Sequence, residues 1–161
     1  MNRSLSDNSK DHHLFDAYPP GEYSYNMTSN TKSVVGSLKL ADNPVRDSKA
    51  QMAAGGENRR AQDNPWGPDE GGHIIAARFG GLSIEENLFP QNRNFNRSEY
   101  KRMENSWAKH LEQGDKVFVC LDFCGEGRPE AVVGYAIIET SSGKRYEEYY
   151  SLYNESRMEQ D

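Results

Sequence analysis

Residues 69–107 read DEGGHIIAARFGGLSIEENLFPQNRNFNRSEYKRMENSW, and the fold turns on how this stretch is divided. Two glycines precede His73, a short apolar run follows from Ile74 to Phe79, and Gly80-Gly81 interrupts it. A short β-permissive run between glycine pairs predicts a strand over 74–79. A loop rich in amides comes next, with Asn87, Gln91, Asn92, Asn94 and Asn96. From about Asn96 to Leu111, apolar residues stand at Tyr100, Met103, Trp107 and Leu111. Those spacings of three and four predict one principal amphipathic helix, which Gly114 stops.

Outward from this stretch the texture is that of strands. Upstream, EYSYNMTS alternates, Asn30-Thr31 offers a turn, and KSVVGSLKLA follows, so Tyr23–Ala41 predicts an antiparallel hairpin. Between the hairpin and the central stretch, residues 43–68 are loop-like, with a short helix at Ser48–Ala54 that Gly55-Gly56 ends and with Trp66 as an anchor between prolines. Downstream, KVFVCLDF, AVVGYAIIET and KRYEEYYSLY predict three more strands, with Ser141-Ser142-Gly143 turning between the last two. Strands, one main helix and strands again make an α+β fold with an antiparallel sheet. Residues 1–20 are polar, end in Ala-Tyr-Pro-Pro-Gly and predict a flexible leader; His12-His13 falls there as an exposed pair rather than a ligand pair. The folded domain is expected over 21–153, with a frayed tail over 154–161.

The chain has 161 residues, enough for one domain, with 35% hydrophobic content and 27% charged residues, so its core is thin. Its net charge of −6 excludes a generally basic nucleic-acid binder. It leaves room for a local positive groove, because Arg59, Arg60, Arg78, Arg93 and Arg97 cluster around the central stretch. No run approaches the roughly 20 apolar residues of a membrane span, and the N-terminus has no apolar signal segment. Cys120 and Cys124 have no matching Cys or His pair for zinc. Four positions apart on a strand they stand roughly 13 Å apart, too far for a bridge unless the chain turns between them; Gly125, just beyond Cys124, marks a turn close by and leaves a bridge open.

Hydrolysing a phosphodiester requires a base to deprotonate water, a cation to neutralise developing charge, and donors to hold the phosphate. A histidine whose ordinary pKa is about 6.5 suits the first task. Magnesium prefers oxygen ligands and keeps several waters, so a single amide oxygen is an adequate protein ligand where it would never hold zinc. Arginine meets the third need. His73 follows two glycines whose missing side chains would let a phosphate backbone approach, and Asn96, Tyr100 and Glu104 run along one side of the predicted helix. Each residue alone also has a plain structural reading. His73 could be a satisfied loop residue, Asn96 the N-cap of an Asn96-Arg97-Ser98-Glu99 capping box, and Glu104 a solvated charge. Their order and spacing together point to chemistry.

Gly72-His73 with IIAARFGG, then Asn87-Leu-Phe-Pro-Gln91, then Asn96 with Tyr100, Glu104 and Trp107 resemble the DNA/RNA non-specific endonucleases of the ββα-metal (His-Me finger) superfamily, in the branch found as bacterial toxin domains. The similarity covers roughly residues 22–140. It implies a ββα-metal motif, His73 as general base, Asn96 as direct ligand of Mg²⁺ (or Mn²⁺), Glu104 as helper to the metal's water shell and Asn87 in support. Arg59 or Arg60 would contact phosphate. Many relatives have Asp-Arg-Gly-His where this chain has Glu70-Gly71-Gly72-His73, so the arginine's contact must come from elsewhere, with Arg78 and Arg93 as candidates, and Asp69 or Glu70 takes the acidic position. A toxin domain further implies a delivered effector acting on nucleic acid in a target cell's cytoplasm, with a cognate immunity protein as partner. Two other classes stay open on the sequence: a catalytically inactive binding module, and an acidic inhibitor, which the net charge of −6 would suit.

Overall fold

The computed structural model describes residues 14–45, 47–56 and 68–155, together with the backbone of 2–4. Eight strands are seen among them: β1 (Asn2–Ser4), β2 (Tyr23–Met27), β3 (Thr31–Ser37), β4 (Asp69–His73), β5 (Leu88–Asn92), β6 (Lys116–Cys124), β7 (Ala131–Glu139) and β8 (Arg145–Tyr153). The helices are α1 (Leu14–Ala17), α2 (Ser48–Ala54), α3 (Arg93–Arg97) and α4 (Glu99–Glu112). Six strands form one antiparallel sheet in the order β1-β8-β7-β6-β3-β2, and β4 and β5 form a separate hairpin-like pair. The expected α+β architecture with an antiparallel sheet is therefore the one observed.

Strand β6 shows why the sheet has two different faces. Val117, Val119, Leu121 and Phe123 alternate onto the inner face and join the main core, while Phe118 and Cys120 project to the other side. The inner face is covered by α4 and the β4–β5 pair. Tyr100, Met103, Trp107 and Ala108 bury one side of α4, and Tyr100 and Trp107 are wholly enclosed. Aromatic side chains of this size bury roughly 150–250 Å² each. At about 25 cal/mol per Å², that is an upper estimate of about 4–6 kcal/mol apiece, so these two rings dominate the attachment of α4. Tyr100 meets Phe89, Phe95 and Phe123 edge-on, and Trp107 donates to the Tyr150 hydroxyl at 2.9 Å. On the outer face, Phe15 of α1 packs with Phe118 and Ile137. Residues 14–20, read from sequence as leader, thus include a segment laid against the sheet.

Three local expectations are corrected. The strand expected over 74–79 lies earlier, at Asp69–His73, and Ala77–Phe79 forms a 3₁₀ turn. Its physical cause is Asn87: this buried amide receives the Ile75 N–H (2.8 Å) and donates to the Ile75 carbonyl (3.0 Å), standing in for a strand partner and ending the ladder after His73. The amide-rich loop is itself partly strand, because Leu88–Asn92 pairs along its whole length with β4. The single helix expected from Asn96 is two helices broken at Ser98 (φ −120°, ψ −94°). Asn92, not Asn96, caps the first, accepting from the backbone of Asn94 and Phe95 at 3.0 and 3.1 Å. The break lets Phe95 and Tyr100 enter one aromatic cluster, their ring centres 5.5 Å apart. The helix at Ser48–Ala54, the Tyr23–Ser37 hairpin and the last three strands stand where the sequence put them. Cys120 and Cys124 are free thiols on one continuous strand, with no turn between them to allow a bridge. No described helix is long and apolar enough to cross a membrane. His12, His13, Arg59, Arg60 and Trp66 lie outside the described residues.

Candidate active site

The β4–β5 pair carries the site, and its two faces carry different residues. Asp69, Gly71 and His73 alternate on one face, Glu70 and Gly72 on the other. Asp69 is 1% exposed, and Arg128 grips both its oxygens at 2.6 and 2.7 Å. Arg128 also donates to the carbonyl of Asn154 at 2.9 Å, while the Asn154 amide binds Asn92 N–H (2.7 Å) and the carbonyls of Pro90 (2.8 Å) and Pro129 (2.6 Å). The open end of the pair is thereby clamped to the end of β8.

At its other end, Lys32 reaches from β3 to the carbonyls of Glu85 (2.9 Å) and Leu88 (2.6 Å), and Leu88 is the register partner of His73. Burial lowers the pKa of this ammonium, which Glu85 and Glu86 partly restore. Tyr100 donates from α4 to the Ile74 carbonyl at 2.5 Å. Burial first, and then the Glu104 carboxylate, raise its pKa well above the usual value, so the donor proton is retained.

The two glycines before His73 serve a purpose other than the one expected of them. A Cβ on Gly71 would stand 1.6 Å from the Gln51 carbonyl, and one on Gly72 would stand 2.0 Å from the Gln91 side-chain oxygen. Their missing side chains admit α2 and β5 rather than a phosphate backbone. Gln51 completes this contact by donating to the Gly71 carbonyl at 3.0 Å.

A cleft of about 770 Å³ opens over this assembly. His73, Asn96 and Glu104 all line it. His73 is largely buried, with Nε2 at 3.5 Å from the Ser83 hydroxyl. Glu104 is 6% exposed. Asn96 donates from Nδ2 to Glu70 Oε1 at 2.7 Å. Asn87 is not among the residues lining the cleft; its side-chain amide bonds to the backbone of Ile75 and Leu82, so it holds the segment after His73 in shape.

Among the described residues, four cations line the cleft, Arg78, Arg93, Arg97 and Lys101, against the three carboxylates Asp69, Glu70 and Glu104. Asp69 is neutralised by Arg128, so the described lining of the cleft is cationic in a chain of net charge −6. Arg78 lies over the Phe79 ring and donates to Asn105 at 2.8 Å. Arg97 contacts Glu70 at 3.1 Å, and Arg93 approaches it at 4.0 Å. Sequence reasoning missed Lys101, Arg128 and Asn154. Lys101 was findable, since it follows Arg97 by four positions beside Asn96. Arg128, with Pro129, lies in the weaker part of the family similarity, which gives it no role, and Asn154 carries no local signal.

Among the described residues no three His, Cys, Asp or Glu side chains form a metal cluster. The donors in the cleft are a carboxamide, carboxylates and one imidazole. That set fits a hard, largely hydrated cation and does not fit a tetrahedral zinc site.

The profile of the DNA/RNA non-specific endonuclease family matches residues 9–127. Among curated proteins, the Type VII secretion system protein EssD of Staphylococcus aureus strain USA300 is 35% identical over 88 residues, covering 52% of this chain and 13% of the relative. The EssD proteins of strains NCTC 8325 and Newman match with the same identity and coverage. This chain therefore corresponds to a small part of those relatives.

Proposed function

Because the chain belongs to the DNA/RNA non-specific endonuclease family and is thus a nucleic-acid hydrolase of a typically metal-dependent kind, we propose that it cleaves DNA, and RNA as well, with His73 as general base and Asn96 as metal ligand. One observation carries the reading: His73, Asn96, Glu104 and four cations line a single cleft. The imidazole of His73 takes a proton from the attacking water, and its burial limits competition from bulk solvent. Asn96 would offer its oxygen to Mg²⁺ or Mn²⁺, and Glu104 would accept from the waters of that ion's shell. That cation, when bound, neutralises charge growing on the phosphate and the leaving oxygen. Arg78, Arg93, Arg97 and Lys101 hold the phosphates of the strand, together with Arg59 and Arg60 from the segment before β4. Asn87 supports the site from behind through the Ile75 backbone.

The relatives are named as type VII secretion system proteins. By that likeness the reading extends to a secreted effector that reaches nucleic acid in a target cell, with a cognate immunity protein covering the cleft in the producer.

The test is digestion of supercoiled plasmid and of RNA with Mg²⁺, with Mn²⁺ and with EDTA. Cleavage is expected with either metal and is lost in EDTA. His73→Ala abolishes it while the melting temperature stays near wild type, and Asn96→Ala shifts the magnesium midpoint upward and lowers the rate. A His73→Ala protein that degrades plasmid at the wild-type rate refutes the assignment.

A further inference from the structure

Two acids stand side by side at the start of β4, and only one can serve the cleft. Both oxygens of Asp69 are held by Arg128. Glu70 lies on the opposite face and divides its carboxylate: Oε1 receives Asn96 Nδ2 at 2.7 Å, and Oε2 receives Arg97 Nη2 at 3.1 Å. An ionised carboxylate only accepts, so the amide of Asn96 must present its nitrogen to Glu70, whichever way the two amide ends are first assigned. Asn96 Oδ1 is then the free end of the carboxamide, and it accepts from no donor among the described residues. Donation to an anion also draws electron density toward Oδ1 and makes it a stronger ligand for a cation.

We propose that Glu70 is a positioning residue that fixes the carboxamide of Asn96 with its oxygen toward the cleft and holds Arg97 beside it. This rests on the reading of Asn96 as a metal ligand. The carboxylate has a second effect. Arg97 is two-thirds exposed and would otherwise sample many rotamers; the bond to Oε2 restrains it at the rim of the cleft, one residue from Asn96. Glu70 thereby couples the cation site to a phosphate-contacting arginine through one side chain. The arrangement is built from two elements far apart in sequence, β4 and α3, and neither supplies it alone.

The experiment titrates Mn²⁺ into wild type, Glu70→Gln, Glu70→Ala, Asn96→Ala and the Glu70→Ala/Asn96→Ala double variant, following free Mn²⁺ by electron paramagnetic resonance, with melting temperature recorded for each. Loss of the orienting partner is expected to weaken Mn²⁺ binding by about tenfold in Glu70→Ala, and by less in Glu70→Gln, whose amide oxygen still accepts. In the Asn96→Ala background, Glu70→Ala is expected to add less than twofold, because the residue it acts through is already gone. Arg97→Ala is expected to keep wild-type Mn²⁺ affinity while raising KM for DNA and lowering the salt dependence of binding by about one phosphate contact. Mn²⁺ affinity within twofold of wild type in Glu70→Ala overturns the proposal, as does an undiminished tenfold loss on the Asn96→Ala background. A wild type that binds no Mn²⁺ overturns it too. A wild type that binds Mn²⁺ and cleaves nothing removes the nuclease reading alone, since the Glu70 comparison is read on binding.

Discussion

Asn154→Ala is the sharpest test of how the site is held. The side chain is 2% exposed and makes three hydrogen bonds, from Asn92 N–H and to the carbonyls of Pro90 and Pro129. Its backbone bonds to Glu130 and Arg128 survive the substitution, so the loss is confined to the amide. Each lost bond leaves a backbone group without its partner in a site closed to bulk water. At about 1 kcal/mol each the destabilisation is about 3 kcal/mol. For a chain of this size that lowers the melting temperature by roughly 6–12 °C. Pro90 and Asn92 belong to β5, the partner of the strand that ends in His73, so nuclease activity is expected to fall further than the unfolded fraction alone explains. The assay is a thermal melt followed by circular dichroism, paired with plasmid cleavage well below the transition. A melting temperature within 2 °C of wild type would show that Asn154 is no clamp, and the account of the open end of the β4–β5 pair would fail.

Three further outcomes are expected. Gly71→Ala forces a methyl to within 1.6 Å of the Gln51 carbonyl; α2 must move, at about 1–3 kcal/mol in a urea melt, and an unchanged midpoint would contradict the packing described. Tyr100→Phe strips the Ile74 carbonyl of its donor inside the core and should lower stability by about 1–3 kcal/mol, with kcat falling because His73 is the adjacent residue; a change under about 0.5 kcal/mol would sink this. Burial raises the pKa of Tyr23, Tyr100 and Tyr150 above the ordinary 10.0. The folded state therefore keeps phenols that the unfolded chain ionises, and this contribution to stability is whole below about pH 10 and is lost as pH rises beyond it. Urea midpoints measured from pH 8 to 12 should fall above pH 10, and midpoints flat to pH 12 would refute the tyrosine assignment.

How legible the site was depended on the kind of interaction. The hairpin at Tyr23–Ser37, the helix at Ser48–Ala54, the buried face of α4 and strands β6 to β8 were all readable, because periodicity and turn chemistry act over a few neighbouring residues. The family motif likewise lies in one continuous stretch. The strand before His73 was misplaced because its partner is β5, and the pairing is decided by where Asn87 sits against Ile75. Gly71 and Gly72 looked like an opening for substrate; only the fold shows Gln51 and Gln91 filling it. Asp69 and Glu70 were indistinguishable in sequence, being adjacent acids of similar chemistry. The pleat of β4 turns them to opposite faces, one toward Arg128 and the other toward Asn96.

By itself, then, the sequence determined which segments are helix and strand wherever the signal is local, and which residue types the site would use. The tertiary structure alone decided which acid meets which donor, because those partners are 26 to 59 positions apart. Such contacts depend on how elements stack and on the register between strands, and no local pattern of residues encodes that distance.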